Sequence, residues 1–260
     1  MSRGKMVGGG IGTIIIALIV YLLGGNPLNV LNTDQSGSET EQVQTTPEED
    51  EMAQFVSVVL KDTETVWTAI FEKWGSVYRQ PTLVLFRGEV QSACGFATSA
   101  SGPFYCSDDE RVYIDLSFCD QLKTKLGAEG DFAVAYVIAH EIGHHVQNQL
   151  GILGKVNEQR SGLSESRANQ LTVRLELQAD FLSGMWAHHA RETLNTLETG
   201  DVEEAMNAAA AVGDDKLQMK YQGKIVPDAF THGTSAQRKE WFRKGLQTGD
   251  FEEGDTFGGE

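Results

Sequence analysis

The pentapeptide HEIGH at residues 140–144 restricts the fold of this chain more than any other feature of its sequence. It follows an almost entirely apolar run, residues 132–139, so the helix that carries it must be buried on most sides. His140 and His144 lie one turn apart on one face of that helix, close enough to bind a single Zn²⁺. Glu141 lies beside both and is predicted to be the general base that takes a proton from the attacking water.

A second predicted helix, over about residues 164–189, supplies a candidate for the third protein ligand that a catalytic zinc site requires. Glu176 lies among apolar residues in this helix, and a buried carboxylate needs a cation nearby. Asp180 lies one turn later on the same face, and we expect it to accept the free N–H of a zinc-bound histidine. The alternative for the two acidic residues is a capping or salt-bridge role, for example with Arg174.

Other residues compete for the position of a ligand. His145, His188 and His189 are further candidates, although the side chain of His145 points about 100° away from that of its neighbour on a helix. Gly143 has no side chain, and we expect it to leave room beside the metal for a substrate or a crossing strand.

His232 is the candidate donor to the oxyanion that forms when a carbonyl is attacked. It lies just before a capping box at residues 234–237, which predicts the start of a rigid helix. Local packing or capping by His232 is the alternative. Three tyrosines are rival donors that the sequence does not rank: Tyr113, Tyr136 and Tyr221. Arg238 is better suited to a structural ion pair with a carboxylate.

The N-terminal region contains an uncharged stretch, residues 6–30, with its most apolar part at residues 11–23. Arg3 and Lys5 precede the stretch, and the next basic residue is Lys61. A membrane-spanning helix needs about 20 residues, and basic residues favour the cytoplasmic side. We therefore predict an uncleaved single-pass anchor, with the rest of the chain outside the cytoplasmic membrane. A cleaved signal peptide and a buried core helix are the alternatives.

The composition along the chain predicts four segments. The anchor covers residues 1–30, a flexible acidic linker residues 31–46, the folded domain residues 47–248, and an acidic tail residues 249–260. The chain has 21 Lys and Arg against 37 Asp and Glu, a formal net charge of −16. This excess of acids argues against a nucleic-acid partner bound through a broad basic face.

The order of helices, strands and helices in the folded domain predicts an α+β fold. Residues 52–71 have helical spacing, as two helices or as one with a break near Asp62. Residues 82–86 and 112–116 have the composition of strands, and residues 92–107 that of a loop. The second strand is a candidate sheet edge on which an extended peptide can pair.

Cysteine placement fits an oxidising compartment. Cys94 and Cys106 flank the predicted loop, and we expect them to form a disulfide if the domain lies outside the membrane. Cys119 is then an unpaired, buried thiol. Three free thiols in a cytosolic domain are the alternative.

Several stretches of the sequence resemble a known family: HEIGHHVQ at 140–147, RLELQADF at 174–181, GPFYC at 102–106, VYIDLSF at 112–118 and THGTSAQR at 231–238. Over about residues 50–257 the chain resembles the YpfJ-type neutral zinc metallopeptidases. The resemblance implies a mostly helical, zincin-like fold with a small β-sheet and a Zn²⁺ cofactor. It also implies that His140, His144 and Glu176 are the ligands and that Glu141 is the catalytic base.

These observations predict a membrane-anchored, zinc-dependent endopeptidase that acts on peptide or protein substrates outside the cytoplasmic membrane. Two other functions stay open at this point. The first is a non-catalytic, zinc-stabilised domain that binds envelope proteins as an adaptor or chaperone. The second is a metal-dependent hydrolase of non-peptide amides or esters.

Overall fold

The structure, a computed structural model, describes residues 47–258 of the chain. The predicted anchor, residues 1–30, and the predicted linker, residues 31–46, lie outside these residues. Within the described part, no helix combines the length and the apolar composition that a bilayer span requires. The anchor and the domain boundaries therefore stay predictions.

Helices make up most of the described residues. They are α1 (Pro47–Lys73), α2 (Leu116–Thr124), α3 (Asp131–Gln149), α4 (Ile152–Arg160), α5 (Glu165–Thr193), α6 (Asp201–Ala211), α7 (Asp214–Gln222) and α8 (Ser235–Thr248). Short 3₁₀ turns lie at Ser99–Ser101, Pro227–Ala229 and Phe251–Gly254. The order of elements confirms the predicted α+β class, whereas a zincin-like arrangement of them stays a prediction.

Two small sheets lie between α1 and α2. Their strands are β1 (Thr82–Phe86), β2 (Glu89–Ser92), β3 (Gly95–Thr98), β4 (Phe104–Cys106) and β5 (Arg111–Asp115). In the larger sheet, β5 is central, parallel to β1 and antiparallel to β4, while β2 and β3 form a separate hairpin. Two predictions are wrong here. The strand near residues 112–116 is not a sheet edge, because both of its sides are paired, and residues 92–107 are not all loop, because they contain β3 and β4.

Helix α1 is a single helix that passes through Asp62, so the predicted break is absent from it. The hydroxyl of Thr63 donates to the carbonyl oxygen of Leu60 within the helix, which satisfies this buried polar side chain. Trp67 and Phe71 are buried in the main core, where α1 packs against α3 and α5. The apolar face therefore continues across the polar residues that suggested an interruption.

The helices that carry the candidate site approach one another closely at glycines. A Cβ added to Gly184 in α5 would lie 2.0 Å from the carbonyl oxygen of Phe242 in α8. One added to Gly245 in α8 would lie 2.0 Å from that of Phe181 in α5. A Cβ on Gly143 in α3 would lie 3.0 Å from a carbonyl oxygen of α5. Gly143 thus admits a neighbouring helix, which corrects the expectation that it makes room for a substrate or a strand.

The predicted disulfide is present. Cys94, in the turn between β2 and β3, is bonded to Cys106 at the end of β4, and their Cα atoms lie 5.7 Å apart. This bond joins the hairpin to the larger sheet. Cys119 in α2 is unpaired, and burial raises the pKa of its thiol to about 12, so the thiol stays protonated.

The C-terminal segment, residues 249–258, lies against α5. Its acidic side chains are exposed, namely Asp250, Glu252, Glu253 and Asp255. Gly254, however, is buried, and an added Cβ there would lie 2.5 Å from the ring of Phe181. The backbone of this segment is therefore packed on the protein while its charges face solvent.

Candidate metal centre

Helix α3 carries His140, Glu141 and His144 into the interior of the protein. Residues 132–139 before them pack in the main core, so the turn that follows is buried as well. The three residues are only 6%, 8% and 7% exposed. Polar side chains at such depth need partners, because an unpaired buried polar group is costly.

Glu176 on α5 faces the two histidines and is 1% exposed. Its Oε2 lies 3.1 Å from His140 Nε2, and its Oε1 lies 3.4 Å from His144 Nε2. One ligand atom from each residue lies within 4.8 Å of the other two. Glu176 Oε1 accepts no hydrogen bond from the described residues, although it is buried. The structure thus brings the three predicted ligands together around an unsatisfied carboxylate oxygen.

The outer nitrogens of both imidazoles face hydrogen-bond acceptors. His140 Nδ1 lies 2.9 Å from Asp180 Oδ1, and His144 Nδ1 lies 2.9 Å from Gln147 Oε1. In a neutral histidine, an acceptor at Nδ1 holds the proton there and leaves the lone pair on Nε2. Both lone pairs are then directed toward Glu176. Two imidazole nitrogens and one carboxylate, with room for a further ligand, form a donor set that fits Zn²⁺.

Asp180 is fully buried and links α3, α5 and α8. Arg238 donates to both of its carboxylate oxygens, at 2.8 and 2.9 Å, and the hydroxyl of Tyr136 also donates to it. Asp180 therefore lies where the sequence predicted it, at the outer N–H of His140. Arg238 forms the structural ion pair that was expected of it, and it fixes the orientation of the carboxylate.

Each buried ionisable group of the site has its pKa shifted by the charged groups around it. Burial opposes ionisation of Asp180, but Arg238 and His140 lower its pKa to about 2. Burial also opposes ionisation of Glu176, yet His144 and His232 hold its pKa well below the usual range. Burial disfavours a charged His140, but the adjacent carboxylates raise its pKa to about 9. Without a metal, His140 therefore keeps an extra proton that a cation would displace.

Glu141 is placed beside the three candidate ligands without being one of them. Burial raises the pKa of its carboxyl group, and the nearby backbone of Tyr105 in β4 opposes that rise without cancelling it. A raised pKa improves a general base for work near neutral pH.

His232 is buried in the turn before α8 and lines the same cavity as Glu176. The carboxylate of Asp214 accepts hydrogen bonds from the backbone N–H groups of Thr231, His232 and Gly233, at 2.7, 2.7 and 3.0 Å. Its other oxygen lies 3.4 Å from His232 Nδ1. Burial lowers the pKa of His232, but Glu176 and Asp214 outweigh that effect and raise it. The imidazole is therefore favoured as a cation and hydrogen-bond donor.

A cavity of about 150 Å³ opens onto these residues. Its polar lining includes His140, Glu141, His144, Glu176 and His232. Much of the remaining lining is apolar, including Phe104, Phe118, Leu126, Val137 and Leu217. An engineered apolar cavity of roughly 150 Å³ in another protein holds a benzene molecule. The space therefore suits one bulky apolar side chain next to the candidate ligands.

Comparison with known proteins decides the family. Residues 2–257 match the profile of a family described as "Putative neutral zinc metallopeptidase". The chain belongs to this family. It is 49% identical to "Uncharacterized protein YpfJ" of Escherichia coli strain K12, over 99% of this chain and 93% of that protein. It is 44% identical to "Uncharacterized protein Rv2575" of Mycobacterium tuberculosis strain H37Rv, over 69% of this chain and 63% of that protein. No solved structure matches the chain.

The other histidines of this zinc metallopeptidase family member do not join the three candidate ligands. His145 contacts the aromatic rings of Tyr78 and Tyr105 instead. His188 and His189 lie 2.8 and 2.9 Å from backbone carbonyl oxygens at the end of α8. All three imidazole rings thus have other partners and do not contact Glu176.

The rival tyrosines differ in position. Tyr136 lines the cavity, but its hydroxyl donates to Asp180. The hydroxyl of Tyr113 donates to Asp109 and lies away from the cavity. Tyr221 lines the cavity and is 38% exposed. Of these candidate donors, His232 lines the cavity and has no hydrogen bond to Asp180 that would engage it as Tyr136 is engaged.

Sequence reasoning missed two residues that hold this site. Gln147 is fully buried one turn after His144, on the same face of the helix, and that spacing was a usable signal. Asp214 lies at the start of α7, where an acidic residue is common for capping. Nothing local to Asp214 indicated its bonds to the turn that contains His232.

Proposed function

We propose that this member of the zinc metallopeptidase family is a zinc-dependent endopeptidase that hydrolyses peptide bonds of extracytoplasmic proteins. One observation carries the proposal. His140, His144 and Glu176 converge from two helices at a cavity that Glu141 and His232 also line. The family supports the broader class of zinc peptidase. The apolar part of the cavity supports a peptide substrate with a side chain to bury.

The residues of the chain have distinct roles in the proposed hydrolysis. His140, His144 and Glu176 hold the ion, whose chemistry is Lewis-acid activation of a water molecule and of the scissile carbonyl. Glu141 accepts the proton of the attacking water and delivers it to the leaving amine. His232, whose Nδ1 lies 3.4 Å from the carboxylate of Asp214, donates to the oxygen on which negative charge develops.

Glu141→Gln tests this mechanism, because it removes the proton acceptor and keeps the size of the side chain. We expect kcat/KM for cleavage of a peptide library to fall at least about 100-fold. Zinc content, measured by elemental mass spectrometry, should stay equal to that of the wild type. Glu72→Gln, at an exposed position of α1, is the control and should change neither quantity.

Unchanged cleavage by a Glu141→Gln protein that retains its metal would contradict the proposed mechanism. A wild-type protein that binds zinc and cleaves no peptide would favour the adaptor or chaperone instead. Cleavage of small amides or esters with no cleavage of peptides would favour the non-peptide hydrolase.

The membrane anchor and the extracytoplasmic location belong to the proposal and rest mainly on the sequence. Arg3 and Lys5 precede the uncharged residues 6–30, the pattern of a single-pass anchor with a cytoplasmic N-terminus. The disulfide between Cys94 and Cys106 supports an oxidising compartment. In cells that express the full chain, we expect an intact N-terminus in the membrane fraction and a domain open to external protease. Recovery in the soluble cytoplasmic fraction would contradict this placement.

A further inference from the structure

A series of side-chain amides connects His144 to the C-terminal segment of the protein. His144 Nδ1 lies 2.9 Å from Gln147 Oε1, and Gln147 Nε2 lies 3.0 Å from Gln178 Oε1. Gln178 Nε2 lies 3.1 Å from the carbonyl oxygen of Gly254. The two glutamines are 0% and 5% exposed, so water has little access to these bonds.

Two backbone carbonyl oxygens, those of Gly254 and Leu175, fix the direction of the bonds in this series. The carbonyl oxygen of Gly254 can only accept, so the NH₂ group of Gln178 must face it and its amide oxygen must face Gln147. Gln147 then donates to Gln178 and to the carbonyl oxygen of Leu175, at 2.7 Å, and turns its own oxygen toward His144. His144 Nδ1 is therefore the donor to Gln147, and the neutral ring has its lone pair on Nε2.

The C-terminal segment is itself held firmly where this series ends. Gly254 lies against the ring of Phe181 so closely that an added Cβ would be 2.5 Å away. The hydroxyl of Thr256 donates to the carbonyl oxygen of Arg174 at 2.6 Å. The ring of Phe257 packs on the small apolar cluster between α4 and α5. The Gly254 carbonyl group, which orients the amide of Gln178, is therefore part of a packed surface.

We propose that the segment Phe251–Phe257 is a positioning element of the metal site. Its Gly254 carbonyl, acting through Gln178 and Gln147, holds the ring of His144 with Nδ1 protonated and Nε2 free for a metal ion. The inference rests on the proposed function for the identity of the ion. It adds that a part of the chain far from the HEIGH motif determines how tightly the ion is bound.

The zinc affinity of the metal-free protein is the readout, measured by competition with a chromophoric chelator and without any peptide. Gln178→Ala removes the middle of the series, and we expect it to raise the Kd for zinc at least about tenfold, the low end of the effect of such partners. Asn169→Ala is the matched control on the same helix. It also loses an amide bonded to a backbone carbonyl, that of Asp228, and should leave the Kd unchanged. Equal Kd values for the wild type and Gln178→Ala would overturn the proposal.

Two substitutions at Gln147 distinguish the effect of losing the hydrogen-bond acceptor at His144 Nδ1 from the effect of disturbed packing. Gln147→Glu keeps an oxygen toward Nδ1 although it loses the NH₂ group that bonds Gln178 and Leu175, whereas Gln147→Leu keeps most of the volume and has neither group. We expect the Kd to rise at least about tenfold for Gln147→Leu and to stay closer to the wild-type value for Gln147→Glu. A purely structural role would lower the unfolding temperatures of both metal-free variants and leave their Kd values alike, which would overturn the proposal.

Gly254→Ala acts on the far end without changing either glutamine, because the new Cβ displaces the backbone from Phe181. Its Kd should rise, and the effect should not add to that of Gln178→Ala in the double variant, since both break one series. Additive effects would overturn the proposal. A wild-type protein that binds no zinc would overturn the proposed function as well, whereas zinc binding unaffected by Gln178→Ala would overturn this inference alone.

Discussion

At the scale of single residues, the ionisation state of each buried group in the candidate site depends on the charged groups next to it. Asp180 is kept ionised by Arg238, and it keeps the outer nitrogen of His140 protonated. Glu176 is kept ionised by the imidazoles around it. The site is therefore prepared for a cation by the same contacts that hold the helices together, and its affinity for metal must depend on pH.

We expect the zinc affinity to rise with pH well beyond 6.5 and to level off near pH 9. The reason is that Asp180 and Glu176 outweigh burial and raise the pKa of His140 to about 9, so below that pH a proton competes with the ion. The sign follows directly, since a raised pKa extends the range in which protons oppose binding. Competition titrations in zinc buffers between pH 6 and 10 measure it. A plateau already reached by pH 7 would contradict this account.

Local sequence spacing predicted that some of these residues belong to the site, but it carries no information about the others. His140 and His144 are related by one helical turn, so helix geometry alone places them together. Glu176 was accessible because a carboxylate in an apolar helix is unusual. The contact between Asp214 and His232 depends on how α7 packs against the turn before α8, and no local pattern encodes that packing.

At the scale of elements, the closest approach of α5 and α8 depends on glycine. We expect Gly245→Ala to lower the free energy of unfolding by about 1–3 kcal/mol, because its Cβ would lie 2.0 Å from a carbonyl oxygen of α5 and would force the helices apart. Urea unfolding measures the effect. Gly154→Ala is the control, since nothing lies within 4 Å of its added Cβ, and it should raise stability by up to about 1 kcal/mol. Equal stabilities of the two variants would contradict this packing.

The helices and strands that were predicted correctly are those whose sequence patterns are local. Residues 82–86 form β1 as expected, because β-branched and apolar residues there are bounded by polar ones. The capping box at residues 234–237 correctly marked the start of α8. The position of β5 in the middle of its sheet was missed, because strand pairing is non-local. The β2–β3 hairpin was missed because its Gly and Ser content is typical of a loop.

At the scale of the whole molecule, the cavity predicts the substrate preference of the proposed peptidase. Its partly exposed apolar lining includes Phe118, Leu126, Val137 and Leu217. We expect a peptide library to be cleaved preferentially next to a bulky apolar residue, by a factor of about 10–200 over small or charged ones, the range for burial of apolar groups in such pockets. Sequencing of the cleavage products measures this preference.

Leu217→Asp provides the matched test of that preference. A carboxylate in the lining should reduce cleavage next to apolar residues and favour basic ones. Val77→Asp is the control, because Val77 is 81% exposed and does not line the cavity. The same cleavage profile for both variants and the wild type would show that the cavity does not select the side chain.

In the proposed peptidase, two helices hold one ion. Anomalous X-ray scattering at the zinc edge, from crystals of the zinc-loaded protein, tests it most directly. We expect one zinc ion at about 2.0–2.2 Å from His140 Nε2, His144 Nε2 and a Glu176 oxygen, with a remaining position not filled by protein. An ion bound elsewhere, a Glu176 turned away from it, or a fourth protein ligand closing the site would contradict the account.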